Sequence, residues 1–359
     1  MGSDRFLARL RPPPPRQNQI DRITLPEGFR FTTYAIQAYL ECPRRFFLKH
    51  ILKVRDPAES ADPSLAFGRA LHVCLEQIHR EGSQWARGAR PANDALDSLW
   101  AQFGAPELMG LRPLERARRN FLARQALDRY VTAVFDNGQL PFGPEPLVET
   151  NFDFSIEGFR CGGRFDRLIE APSGGEIWII DYKTATTTRS SSKMLDQAFP
   201  GESGFGHDLQ MPFYLLAACR LHSIRVRARD AGTYRRLDRT FLRASAVTVY
   251  LRSDLYTKKY GEYKPGFLRS SALNLGCGPA WGAEIEPGRL DRFEANLTQL
   301  LSQISSDRKF DCLPTEDKNA TTCLTEKCEF LPFCQERLTL LKDRPFQPDD
   351  HKNDSPESD

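Results

Sequence analysis

The sequence predicts an α/β protein, with a mixed central β-sheet flanked by helices, a helical region before the sheet and a cysteine-rich region after it. Three patterns predict this. Apolar residues recur at helical spacing in the N-terminal part. Runs of Ile, Leu, Phe and Trp broken by turn residues follow. Helix, strand and helix then return.

Residues 1–28 are rich in Pro and Arg and are expected to be disordered. Residues 29–340 are expected to form one domain: helical over 29–140, the sheet core over 145–255, and a last helix with the cysteines over 285–340. The first helix opens at Thr32-Thr33-Tyr34, with either threonine as its cap, and is interrupted at Cys42-Pro43. A second starts near Ser64. Residues 90–138 read as helical, with Leu96, Leu99, Trp100 and Phe103 on one face. Strands are expected at Leu147-Val148-Glu149 and Phe152-Asp153-Phe154, then a hairpin. The stretch from Thr186 to Gly206 is polar and rich in Gly and Ser, which predicts a mobile loop. A helix from Leu209 to Leu221, a strand from Ala246 to Leu251 and a helix from Leu290 to Ile304 complete the pattern. Residues 343–359, with six acids against two bases, read as a disordered acidic tail.

A hydrophobic fraction of 40% over 359 residues supports a sizeable core. No apolar run approaches about 18 residues, so no transmembrane helix and no membrane partner are expected. Leu10-Arg11 runs straight into Pro12, leaving no signal-peptide core. A cytoplasmic chain is therefore expected, whose nine cysteines are thiols or metal ligands rather than disulfides. The formal charge of +3 says little. Between Arg220 and Arg243, eight arginines face two aspartates, which reads as a phosphate-contacting surface or a solvated loop.

The hairpin carries the chemistry. Its turn, Ala171-Pro172-Ser173-Gly174-Gly175, separates Gly162-Gly163-Arg164-Phe165-Asp166 from Ile177-Trp178-Ile179-Ile180-Asp181-Tyr182-Lys183. Folding at Ser173-Gly174 sets Asp166 opposite Asp181, with Cα atoms about 4.5–5.5 Å apart. Opposed like charges are unfavourable and ask for a cation. Lys183 projects from the same face as Asp181. An Asp–Lys pair on a strand is ordinarily a solvated face, but Asp181 ends a run that reads as buried, where a charge needs a partner or a metal. Two carboxylates and an ammonium suit a hard divalent ion beside a group that handles a water.

Further motifs surround the hairpin: Gly68 with His72 at i+4, Gln210 with Tyr214 at i+4, Cys42-Pro43, and Cys323, Cys328 and Cys334 within twelve residues. Taken in order, Gly68-xxx-His72, Gly162-Gly163-x-x-Asp166, Asp181-x-Lys183 and Gln210-xxx-Tyr214 resemble the RecB-like branch of the PD-(D/E)XK nuclease superfamily. The likeness runs from Phe31 to about Cys334. It implies a restriction-endonuclease-like core and a metal-dependent deoxyribonuclease acting on single-stranded DNA or DNA ends, in repair, recombination or phage or CRISPR-type processing. It implies that His72, Asp166, Asp181 and the Tyr182 carbonyl hold Mg²⁺ or Mn²⁺, that Lys183 orients or helps deprotonate a water, and that Gln210 and Tyr214 position DNA or the lysine. Glu149 and Glu76 are additional candidates.

The cysteines resemble the branch pinned by an iron–sulfur cluster, as in AddB-type and certain CRISPR-associated nucleases. This implies a 4Fe–4S cluster on Cys42, Cys323, Cys328 and Cys334, with a structural Zn²⁺ as the alternative. The trio is spaced C-x4-C-x5-C where the family has C-x2-C-x5-C, and Cys312 is a rival ligand. The chain carries no Gly-rich phosphate loop. It is expected to be a free-standing nuclease or the nuclease subunit of an assembly with a helicase or recombination protein. The alternative is a catalytically silent DNA-binding or helicase-docking subunit.

Overall fold

A computed structural model describes residues 24–311 except 55–61, 81, 87, 143–146, 171–175, 186, 200–207, 221–242, 258–261 and 277, together with 328 and 330. Two compact units divide it: Met1–Leu25, Ala35–Asp56 and Ser306–Asp359 form one, and Pro26–Tyr34 with Pro57–Ser305 the other.

The larger unit is built on a sheet of six strands in the order β1-β2-β3-β4-β5-β6. These are β1 (Leu147–Ile156), β2 (Phe159–Glu170), β3 (Glu176–Lys183), β4 (Arg243–Thr257), β5 (Glu262–Leu275) and β6 (Ala283–Glu284). β1, β2 and β3 pair antiparallel, β3 and β4 parallel, β4 and β5 antiparallel, and β5 and β6 parallel. The sheet is therefore mixed, as the sequence predicts.

Eight α-helices lie among the described residues: α1 (Thr33–Glu41), α2 (Pro43–Phe46), α3 (Pro63–His79), α4 (Asn93–Leu99), α5 (Pro113–Val131), α6 (Ser191–Ala198), α7 (Gln210–Cys219) and α8 (Pro287–Ser306). α3 starts where Asp62 accepts the Ser64 N–H at 2.7 Å and Pro63 takes the first turn. Its apolar stripe, Phe67, Leu71, Leu75 and Ile78, packs with Leu96, Leu99, Leu127 and Tyr130 against Ile169, Ile180, Tyr182, Val247 and Val249 of the sheet. α7 is buried from Met211 to Ala218, as a helix apolar all round must be.

The Thr186–Gly206 stretch is not wholly a loop. Its serines serve a helix: Ser190 caps α6 by accepting the Lys193 N–H at 3.2 Å, and Met194 and Ala198, one turn apart, are buried. β5 is masked in the sequence by Pro265-Gly266 and by its polar residues; it is held by antiparallel pairing to β4.

In the smaller unit Phe310 stacks on Phe46 and Phe47, at 5.7 and 5.5 Å between ring centroids, and meets Tyr39 edge-on at 6.4 Å. Tyr39 OH donates to Asp307 at 2.9 Å. Cys42 occupies the cap position of α2 and is buried.

Candidate active site

Strand register brings three carboxylates to one level. β1 and β2 pair Val148 with Arg167 and Thr150 with Phe165, so Glu149 stands level with Asp166. β2 and β3 pair Arg167 with Ile180, Leu168 with Ile179 and Ile169 with Trp178, which places Asp166 level with Asp181. This is the hairpin register the sequence predicts. Glu149 has φ 46°, a left-handed conformation that costs a non-glycine residue roughly 1–2 kcal/mol.

α3 supplies the nitrogen. At Gly68 the helix passes the end of β3, where a Cβ would meet Thr184 Oγ1 at 3.6 Å, an ordinary contact. One turn later His72 Nδ1 lies 3.5 Å from both Glu149 Oε1 and Asp166 Oδ1. His72 Nε2 is 3.1 Å from the Tyr182 carbonyl oxygen. With Nε2–H donating there, Nδ1 is the nitrogen left to face a cation. The Tyr182 N–H donates to Asp166 Oδ2 at 2.8 Å.

A directed chain of hydrogen bonds runs beside this group. Lys183 Nζ donates to Asp181 Oδ1 at 3.1 Å and to Gln210 Oε1 at 2.8 Å. Gln210 Nε2 donates to Asp181 Oδ1 and to Tyr214 OH, both at 2.8 Å. Tyr214 OH donates to the Arg164 carbonyl at 2.9 Å. The i, i+4 spacing of Gln210 and Tyr214 on α7 puts both into one line.

The glycine pair before Asp166 is sterically required. A Cβ at Gly162 would run into the Arg30 guanidinium and the Phe152 carbonyl, and one at Gly163 would sit 2.8 Å from Phe152 Cζ. In that space Arg30 Nη2 donates to Phe152 O at 2.7 Å and to Gly163 O at 3.0 Å, clamping β1 to β2.

The family model of the PD-(D/E)XK nuclease superfamily matches residues 30–335. The chain belongs to the PD-(D/E)XK nuclease superfamily. Among curated proteins it is similar to an ATP-dependent helicase/deoxyribonuclease subunit of Moorella thermoacetica, 24% identical over 57% of this chain and 19% of that protein. The protein of the same description from Heliobacterium modesticaldum is 26% identical over 56% of this chain and 17% of that protein. The match thus spans less than a fifth of either relative's length. A solved structure described as "Crystal structure of SSO0001" aligns over 75% of this chain and 94% of its own at a TM-score of 0.27 and 12% identity.

Nucleases of this superfamily generally use divalent metals, and the donor set fits one. His72, Glu149 and Asp166 present ligand atoms all within 4.8 Å of one another. Asp181 Oδ2 is buried without a hydrogen bond, 2.9 Å from Lys183 Nζ. Electrostatics point the same way. Burial opposes charge on His72, but hydrogen bonds to Asp166 and Glu149 and the fields of Asp166 and Asp181 outweigh it and raise the imidazole to about 10. Burial pushes Asp181 up to about 6, Lys183 pulling it back and Asp166 adding to the rise. Burial also works against Asp166, yet His72, the Tyr182 N–H and Lys183 hold it below the usual carboxylate range. Burial disfavours the Lys183 ammonium, but Asp181 more than compensates and raises it. His72 keeps a proton because Asp166, Glu149 and Asp181 surround it with negative charge, and a cation would displace that proton.

On the other side of Tyr182 lies a polar network that the sequence patterns leave unannounced. Tyr182 OH is 2.8 Å from Tyr130 OH, which lies 2.6 Å from His79 Nε2. Arg167, fully buried, donates to Tyr130 OH at 3.3 Å and to Pro141 O at 3.1 Å, with its guanidinium 5.6 Å over the Phe142 ring. Its one signal is His79, buried at i+7 from the half-buried His72 and so on the same side of α3. Burial, and then Arg167, hold His79 well below its ordinary pKa. A base depressed in the fold stabilises above its unfolded pKa of about 6.5 and loses that contribution as pH falls, by about 1.4 kcal/mol per pH unit. Denaturant unfolding at pH 7 and pH 5 should show a smaller loss for His79→Gln than for wild type. Equal losses would remove His79 as the acid-sensitive group.

The structure thus brings together His72, Asp166, Asp181, the Tyr182 carbonyl, Lys183, Gln210 and Tyr214. Glu149 joins His72 and Asp166 in the group whose ligand atoms lie within 4.8 Å of one another; Asp181, level with Asp166 but held by Lys183 and Gln210, lies outside that group, as does Glu76. Of the cysteines, Cys42 is buried and Cys328 half-buried. Cys312, Cys323 and Cys334 lie outside the described residues, as do residues 221–242 of the arginine-rich segment. No helix among the described residues is long and apolar enough to cross a membrane.

Proposed function

We propose that this protein is a metal-dependent deoxyribonuclease that hydrolyses phosphodiester bonds of single-stranded DNA or DNA ends. The observation that carries the reading is the row Glu149–Asp166–Asp181 with His72 on one side and the Lys183–Gln210–Tyr214 chain on the other. His72, Asp166 and Asp181, with Glu149, would hold Mg²⁺ or Mn²⁺, the Tyr182 carbonyl completing the group. A bound divalent ion supplies Lewis acidity to the phosphate and lowers the pKa of water. Asp181 and Gln210 fix Lys183 in place, and the ammonium, kept charged by Asp181, stabilises negative charge developing on the phosphate and orients the attacking water. Tyr214 locks the Gln210 amide so that its oxygen faces the lysine.

The curated relatives are described as helicase/deoxyribonuclease subunits, which supports DNA as substrate and a helicase or recombination protein as partner. The cluster expected on Cys42, Cys323, Cys328 and Cys334, 4Fe–4S or structural Zn²⁺, belongs to the same proposal as a staple rather than a redox centre.

The test is digestion of end-labelled linear and circular single-stranded DNA by the purified chain in EDTA, then in Mg²⁺ or Mn²⁺. Degradation of linear DNA alone, only with metal, is expected. Cutting of circles would make the enzyme an endonuclease. Binding without cleavage under every metal would favour the silent DNA-binding subunit and sink the enzyme reading.

A further inference from the structure

Arginines from two distant stretches of chain meet on the flank of α3. Arg119 of α5 and Arg252 of β4 both lie over the Phe67 ring, their guanidinium carbons 5.3 and 5.8 Å from its centroid. Arg129 Nη1 donates to the Arg252 carbonyl at 3.4 Å. Arg118 is exposed on α5 next to Arg119. Arg119 is paired with Glu115 at 2.6 Å, but among the described residues no carboxylate pairs with Arg118 or Arg252. Like charges gathered this way repel. Burial, then the fields of Arg119, Arg118 and Arg129, work against the charge on Arg252. A guanidinium does not shed its proton to escape. An anion relieves the repulsion.

The cluster adjoins the candidate active site. Tyr250 of β4 pairs with Lys183 of β3, and Arg252 follows two residues later, about 7 Å further along the sheet. The pairing of β4 with β5 shifts register between Tyr250 and Asp254, an irregularity of the kind that re-aims side chains. Phe67 itself precedes Gly68, the residue packed on Thr184. Spacing of this order matches about two nucleotides at about 3.4 Å of rise each.

We propose that Arg118, Arg119, Arg129 and Arg252 form a subsite for the phosphates of a DNA strand next to the phosphate being cut. The assignment rests on the nuclease reading and adds to it the path of the strand, past α3 and the end of β4. Arg119 stacks on Phe67 and is steadied by Glu115, while the other three supply positive charge towards the backbone.

The test is binding of a labelled single-stranded oligonucleotide in EDTA across about 50 to 200 mM salt. Wild type is compared with Arg118→Gln/Arg129→Gln/Arg252→Gln and with the same three positions changed to Lys. Three lost contacts at about 0.7 each should lower the slope of log K against log salt by about two units. The lysine variant should keep the wild-type slope. With metal added, the glutamine variant should show a raised KM and an unchanged kcat. If that variant does not fold by circular dichroism, Arg118→Gln alone, at an exposed site, should lower the slope by about 0.7. An unchanged slope in the glutamine variant, with wild type binding normally, would overturn the subsite and leave the nuclease reading intact, pointing to an acidic protein surface as the occupant. A wild-type chain that binds no DNA at any salt would overturn both.

Discussion

Asp181→Ala is expected to lower cleavage by about 10³-fold or more while leaving DNA binding in place. The residue is 3% exposed and holds two partners at once, Lys183 Nζ and Gln210 Nε2. Without it the ammonium loses the charge that fixes its position, and the Gln210 amide is free to turn. In the proposed metal site a carboxylate would be lost as well. Asp181→Asn keeps a hydrogen-bond acceptor for Gln210 but not the charge, so it should bind metal poorly and cleave little better than alanine. Single-turnover cleavage in Mn²⁺ and anisotropy of a labelled strand read the two effects separately. Cleavage by Asp181→Ala at the wild-type rate would remove this residue from the site.

The second large effect is on stability. Phe152 is 1% exposed and stacks on Phe165 with ring centroids 4.1 Å apart. It meets Tyr214 edge-on at 5.8 Å and covers Gly163, whose missing side chain leaves room for the ring. Truncating it opens a hole between β1, β2 and α7 that rigid neighbours cannot fill. Phe152→Ala should therefore cost about 3–5 kcal/mol, seen as a lower denaturant midpoint at constant slope. Phe121→Ala, at a position 63% exposed, should stay within about 0.5 kcal/mol. A loss below about 1 kcal/mol at Phe152 would mean that the aromatic cluster collapses onto the vacancy.

The hairpin register was legible because pairing about a turn is arithmetic: once Ser173-Gly174 is the midpoint, Asp166 and Asp181 must face each other. The motif helices were legible for a similar reason, since i, i+4 spacing places Gln210 and Tyr214, and Gly68 and His72, on common faces. Glu149 stood only as an additional candidate. Its place in the row depends on the β1–β2 register and on a left-handed backbone, and nothing local in Val148-Glu149-Thr150 announces either. α6 was missed because serines favour caps and turns alike, and only tertiary burial of Met194 and Ala198 decides between them. The arginine cluster at Phe67 was invisible for a different reason. Its members lie on α5 and β4, more than a hundred residues apart, while the arginine run at 220–243 is the denser and more conspicuous signal.

The parallel pairing of β3 with β4 has a consequence for how the protein is made. The β2–β3 hairpin is local and can form as soon as Lys183 has left the ribosome, because closing a short loop is fast. β4 begins only at Arg243, about sixty residues later, and α7 with Gln210 lies in between. Until then Ile177-Trp178-Ile179-Ile180 is an apolar strand with an open edge, the arrangement most prone to pair with another chain. During synthesis the strand that carries Asp181 and Lys183 is therefore open to pairing with other chains, and closure by β4 ends that exposure at the same moment that it covers the edge beside the site.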